Sequence, residues 1–134
     1  MTAMDKPVSA PNQADAADMA SSLDLGADLR HAQGVLGGLA SGDPAVLAEL
    51  RALLVEALTP GLALAALADD PGRLMAGLHA LKGTSATAGL VGFSARVASF
   101  EACQAGLSAG ARAAWCAQIV EWTADVIASL RLPA

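Results

Sequence analysis

The residues best suited to chemistry in this chain lie between positions 75 and 86. His79 and Lys82 are three residues apart, and Gly83 follows Lys82 directly. Residues three and four apart are neighbours on the surface of an α-helix, so these three positions share one helical face. The same face also carries three small or apolar residues, Met75, Ala76 and Ala86.

This pattern suits a carrier of phosphoryl groups. A neutral imidazole is a competent nucleophile near pH 7, because the pKa of a free histidine side chain is about 6.5. Transfer of a phosphoryl group depends mostly on positioning and on electrostatic stabilisation, and the Lys82 ammonium group is placed to screen phosphoryl charge. Ala76, Gly83 and Ala86 are small, so a partner's active site can approach the imidazole of His79 closely.

The helix that carries His79 has a clear apolar stripe. Asp70 and Pro71 form a typical helix start, in which the aspartate caps the helix and the proline takes the first helical position. The stripe consists of Leu74, Leu78, Leu81, Ser85 and Ala88. Its members Leu78 and Leu81 lie roughly 100° and 160° around the helix from His79, so the phase predicts that His79 faces solvent.

Two further helices are predicted before this one. The first carries a stripe of Leu25, Leu29, Ala32, Leu36 and Leu39, and its glycines are expected to weaken it. The second starts at Asp43 and Pro44 and carries Leu47, Leu50, Leu54 and Leu58. Pro60 lacks an N–H group and disfavours α geometry at Thr59, so this helix either kinks or restarts there.

Two more helices follow Gly89. One carries Leu90, Phe93, Val97, Phe100 and Leu107, and the last carries Trp115, Ile119, Trp122, Val126 and Leu130 before Pro133. Because the connections are short, neighbouring helices are expected to be antiparallel. The prediction is an all-α fold: an antiparallel up-down four-helix bundle with an additional N-terminal helix, over residues 23–132. Residues 1–22 are small, polar and without periodicity, which predicts a disordered tail or linker.

The composition excludes several classes of function. The net charge is −5 and the basic residues form no run, so we expect no binding of nucleic acid. Cys103 and Cys116 lack metal-ligand spacing and are expected to be free thiols, although a disulfide stays open at this point. The apolar run from Ala57 to Ala68 is short and contains Pro60, and no secretory signal is visible, so we expect no membrane insertion and a cytoplasmic location.

The segment from His79 to Phe93 resembles a known signature. It has the form H-x-L-K-G-x-S-x-x-x-G-x-x-x-F, which is similar to the motif of the histidine phosphotransfer (HPt) domains of bacterial multistep phosphorelays. His79 stands where that family has its phosphorylated histidine, and Lys82 and Gly83 stand at its Lys-Gly pair. Gly89 takes the place of the glycine at the next helix junction. A looser resemblance in helix order extends from about Asp24 to Leu130.

The resemblance implies a function and a set of partners. HPt domains accept a phosphoryl group from the aspartate of one receiver domain and donate it to another, so the expected partners are receiver domains of response regulators or of a hybrid histidine kinase. The Mg²⁺ that transfer needs belongs to the receiver, and no cofactor or metal is expected here. The domain is then a carrier and not an enzyme. It is either free-standing or a cytoplasmic module of a larger sensor kinase or chemotaxis-type kinase.

The resemblance also points to Glu101. Family members often have Gln or Glu near the histidine, on the next helix, and Glu101 stands at the matching place. If Glu101 accepts a hydrogen bond from the Nδ1–H group of His79, Nε2 is left as the nucleophile. His31 has no comparable context and is expected to be an ordinary surface residue. The alternative function is a helical adaptor or dimerisation module of the same fold that has lost phosphotransfer.

Overall fold

The computed structural model describes residues 23–132, and within them the fold is all-α, as predicted. Five α-helices follow one another: α1 (Leu25–Ala40), α2 (Pro44–Leu58), α3 (Pro71–Thr87), α4 (Val91–Cys103) and α5 (Ala109–Arg131). The described part contains no strand. The expected tail or linker at 1–22 and Pro133 lie outside the described residues.

Two of the helices begin at the predicted aspartate–proline pairs. The Asp43 carboxylate accepts hydrogen bonds from the N–H groups of Ala45 and Val46 at the start of α2. The Asp70 carboxylate accepts one from the N–H group of Arg73 at the start of α3, at 3.2 Å. These aspartates satisfy amides that have no partner inside the helix, which is why the sequence signal for both helix starts is reliable.

The chain does not leave helical geometry at Pro60. A 3-10 helix, Thr59–Leu67, continues directly from α2. The Thr59 hydroxyl group donates a hydrogen bond to the Val55 carbonyl at 2.7 Å. At Pro60, which lacks an N–H group, the chain therefore passes from α to 3-10 geometry and does not restart an α-helix.

The stretch Pro44–Leu67 is the one place in residues 23–132 where length and composition would allow a membrane span. Its most apolar window has a mean hydropathy of 1.6, and 28% of that window is buried in the fold. The apolar run Ala57–Ala68, which by itself is too short to cross a membrane, lies mostly within this longer helical stretch. The length of the run therefore no longer argues against a membrane span. Core helices of water-soluble proteins also pass this test.

The core is built from all five α-helices and the 3-10 helix, and α5 contributes the largest share of its buried residues. The predicted stripe of α3 is buried, and Leu74, Leu78 and Ser85 are fully so. The Phe93 ring of α4 meets the Trp122 ring of α5 edge to face, with the ring centroids 6.4 Å apart. The two tryptophans are thus core residues, as expected, and neither Cys103 nor Cys116 is part of a disulfide.

The predicted stripe of α1 is partly wrong. Leu39 is 67% exposed, and the buried residues of this helix are Asp28, Ala32, Leu36 and Ala40. The helix also runs unbroken through its glycines. The buried face is shifted because Asp28 has partners on α4, and such a partner is invisible to a search for apolar periodicity.

Candidate functional site

The α3 helix presents His79 to solvent. The His79 side chain is 72% exposed, whereas Leu78 beside it is fully buried. The solvent-facing orientation predicted from the phase of the stripe is confirmed. A helix packed on one side by Leu74, Leu78 and Leu81 gives the imidazole a stiff support.

A tight turn connects α3 to α4. Gly89 has a φ of +89°, a left-handed conformation that residues with a Cβ atom rarely adopt. The N–H group of Leu90 donates to the Ser85 carbonyl at 2.9 Å, and that of Gly89 donates to the Ala86 carbonyl at 3.1 Å. These two bonds form a Schellman motif, which ends α3 and turns the chain back.

The α4 helix returns alongside α3 in the opposite direction. The Ser94 hydroxyl group donates to the Lys82 carbonyl at 3.1 Å, and Glu101, two turns further on, reaches His79. Because α4 contacts α3 in reverse sequence order, the two helices are antiparallel. One helical hairpin therefore supplies His79, Lys82 and Glu101.

The Glu101 carboxylate lies between the two other side chains. Its Oε2 atom is 3.0 Å from His79 Nδ1, and its Oε1 atom is 2.6 Å from Lys82 Nζ. The Glu101 side chain is 13% exposed and the Lys82 side chain is 34% exposed. The structure thus brings together the three residues to which the sequence assigned chemical roles.

Electrostatics favour the ionised form of Glu101. The hydrogen bond from Lys82 is the main cause that lowers the pKa of Glu101 below its ordinary value, and the hydrogen bond from His79 acts in the same direction. Desolvation opposes both. An ionised carboxylate can only accept hydrogen bonds, so His79 donates from Nδ1, and in the neutral imidazole Nε2 then has the free lone pair.

The residues expected to form a binding surface surround the imidazole. Met75, Ala76, Gly83 and Ala86 are all exposed. A Cβ atom added at Gly83 would have no neighbour within 4 Å, which shows open space on this side of His79. The surface next to the imidazole therefore consists mostly of small or apolar residues that do not project far from the helix.

Sequence reasoning missed the role of α1 near this hairpin. His31, expected to be an ordinary surface residue, has its Nδ1 atom 2.8 Å from the Gly89 carbonyl oxygen. Asp28 accepts hydrogen bonds from the N–H groups of Gly92 and Phe93. No local pattern signals these contacts, because the partners lie 58 to 65 residues apart in the chain.

Residues 23–132 contain no group of three or more His, Cys, Asp or Glu residues arranged to hold a metal ion. Comparison of the chain with protein-family models, with curated proteins and with solved structures finds no match.

Proposed function

We propose that this chain is an HPt domain, which accepts a phosphoryl group on His79 from a receiver aspartate and passes it to another receiver. The observation that carries the proposal is the imidazole of His79, which is 72% exposed and whose Nδ1 atom is hydrogen-bonded to Glu101. The resemblance of the segment from His79 to Phe93 to the HPt motif agrees with it. Within this proposal, α2 to α5 form the four-helix bundle and α1 is the additional N-terminal helix.

The transfer step uses the free nitrogen of His79. The Nε2 lone pair attacks the phosphorus atom of the receiver's aspartyl phosphate, and the bond from phosphorus to the carboxylate oxygen breaks. The aspartate leaves as a carboxylate, and the imidazole gains positive charge because Nδ1 keeps its proton. Glu101 is placed to stabilise that charge, and a preorganised charge of this kind needs no rearrangement during the reaction.

Lys82 takes part by exchanging partners. Before transfer its ammonium group is paired with Glu101. The Lys82 side chain is 34% exposed, so its ammonium group can turn from Glu101 to a phosphoryl group that offers three anionic oxygens nearby. The flexible stem of lysine allows this movement without a change in the backbone.

The partner is a receiver domain that binds weakly and supplies Mg²⁺. Met75, Ala76, Gly83 and Ala86 form the surface against which it docks. We place the domain in the cytoplasm and interpret Pro44–Leu67 as a helical stretch that packs on the core through Leu54, Leu58 and Leu64. In this role the chain binds no cofactor and no nucleic acid.

A phosphotransfer profile tests the proposal. The chain is incubated with each receiver of its host, phosphorylated beforehand, and we expect acid-labile, base-stable phosphate on the wild type with at least one of them. His79→Gln should abolish the label and His31→Gln should retain it. The unfolding free energy of His79→Gln should stay within about 0.5 kcal/mol of wild type, because the side chain is exposed.

Absence of label with every receiver would contradict the carrier and favour the adaptor or dimerisation module. A specific observation already fits that second function. Leu39 and Leu53 are large apolar residues that are more than half exposed on α1 and α2. Exposed apolar side chains that cluster are typical of surfaces that bind other proteins.

A further inference from the structure

Two polar residues of α1 bind the turn between α3 and α4. Asp28 is 8% exposed, and its two carboxylate oxygens accept hydrogen bonds from Gly92 N at 3.0 Å and from Phe93 N at 2.6 Å. One turn later on the same face of α1, His31 Nδ1 is 2.8 Å from the Gly89 carbonyl oxygen. Since a carbonyl only accepts, His31 is the donor.

The α4 helix depends on Asp28 for its cap. The residue at its own N-cap position, Leu90, makes no side-chain hydrogen bond to the helix. The first amides of a helix have no partner within it, and they attract negative charge. Asp28 therefore supplies from α1 what the sequence of α4 does not provide.

The α1 helix packs tightly against the turn between α3 and α4. A Cβ atom added at Gly89 would lie 2.9 Å from both His31 Nδ1 and Val35 Cγ2. One added at Gly92 would lie 3.0 Å from Leu23 Cδ1 and 3.1 Å from Asp28 Oδ1. Glycine at both positions allows α1 to approach the backbone of the turn directly.

The turn controls the alignment of the site. His79 lies ten residues before Gly89 and Glu101 lies eleven after Leu90, so each is about 15 Å along its helix from the turn. The His79–Glu101 hydrogen bond is 3.0 Å long, and beyond about 3.5 Å such a contact is no longer a hydrogen bond. A displacement of α4 by about half an ångström is thus enough to lose it.

We propose that Asp28 and His31 are positioning residues, which fix α4 against α3 and thereby hold Glu101 on His79 Nδ1. This inference rests on the proposed function only for the chemical use of that hydrogen bond. The additional helix α1 is then a part of the phosphoryl-accepting apparatus that touches none of the reacting atoms.

The tautomer of His79 in the unphosphorylated chain tests the inference. Nitrogen-15 NMR at about pH 8, where free histidine is neutral, measures the fraction of His79 with hydrogen on Nδ1. The chain has only two histidines, so His31→Ala assigns the signals. Glu101→Ala provides the value without the carboxylate acceptor.

We expect Asp28→Ala to move the Nδ1–H fraction of His79 about half of the way from wild type to Glu101→Ala, since a hydrogen bond weakens steeply with distance. His31→Ala should move it in the same direction by less. Asp43→Ala is the matched control, because Asp43 also accepts from two backbone amides at a helix start, and these amides belong to α2 and not to α4.

Three results would overturn the inference. The first is a wild-type tautomer fraction in both Asp28→Ala and His31→Ala. The second is an equal change in Asp43→Ala, which would indicate general loosening. The third is no difference between wild type and Glu101→Ala. If Asp28→Ala does not fold, His31→Ala decides, because His31 is exposed. None of these readouts needs a phosphoryl group, so failure of phosphotransfer alone leaves the inference standing.

Discussion

The two histidines of the chain have the same local geometry and different surroundings. Each donates from Nδ1 to an oxygen about 3 Å away, His79 to the Glu101 carboxylate and His31 to the Gly89 carbonyl. The partner of His79 is charged and has Lys82 on its other oxygen, whereas the partner of His31 is a neutral backbone group in a turn. In the proposed function, the hydrogen bond of His79 therefore prepares its imidazole for charge development, whereas that of His31 links α1 to the turn between α3 and α4.

This difference shows why a histidine cannot be assigned a role from its exposure alone. Both side chains are exposed. What separates them is the charge of the acceptor and the space beside them, since a Cβ atom added at Gly83 next to His79 would have no neighbour within 4 Å, whereas one added at Gly89 would meet His31. Three substitutions and a change of pH test that separation.

The largest effect should follow from removing the charged partner of His79. Glu101→Ala should slow phosphoryl transfer from a cognate receiver by about 10²-fold, the scale expected when a reacting group is no longer held in place. Rapid-quench kinetics measures the rate. Glu49→Ala removes an exposed carboxylate from α2 and serves as the control. Equal rates for wild type and Glu101→Ala would remove the distinction between the two histidines.

The next effect concerns the turn that His31 holds. Gly89→Ala should lower the unfolding free energy by about 1–3 kcal/mol, because the new Cβ atom is strained at φ +89° and meets His31 Nδ1 and Val35 Cγ2. Urea denaturation measures this loss. An unchanged midpoint would show that α1 does not pack tightly on the turn.

A glycine beside His79 should respond in the opposite direction. Gly83→Ala should raise the unfolding free energy by about 0.5–1 kcal/mol, since alanine is the better helix former and the position is open. The added methyl group should nevertheless slow transfer, because it stands where a receiver approaches. A variant that is more stable and equally fast would argue against docking on this surface.

The smallest effect is a dependence on pH that comes from Glu101. The folded-state pKa of Glu101 lies below its ordinary value of 4.5, so its contribution to stability is present above pH 4.5 and is lost as the pH falls through the lowered value. Glu101→Gln should therefore lose less stability than wild type on acidification through that range. Parallel losses in thermal scans at several pH values would contradict this.

The sequence predicts the parts of the fold that depend on local chemistry. Asp43 and Asp70 mark helix starts because a cap and its amides lie within three residues. The exposure of His79 follows from the phase of Leu74, Leu78 and Leu81 on the same helix. The close approach of Glu101 to His79 was expected from a family resemblance, and the structure contains that hydrogen bond.

What the sequence does not predict depends on distant contacts. Leu39 is exposed and Asp28 is buried, against the apolar pattern of α1, because Asp28 binds amides more than 60 residues away. The role of His31 is not visible in the sequence for the same reason, because its partner Gly89 lies 58 residues away. The 3-10 geometry after Thr59 also escapes a local analysis, since a proline signal does not say which helix type follows.

The most direct test of the central claim is to identify the atom that carries the phosphoryl group. Chain labelled with nitrogen-15 is phosphorylated by a cognate receiver, and coupling between phosphorus-31 and nitrogen-15 is then recorded. We expect a single phosphohistidine at Nε2 of His79, with hydrogen still on Nδ1. Phosphate on Nδ1, on His31, or on no histidine at all would contradict it.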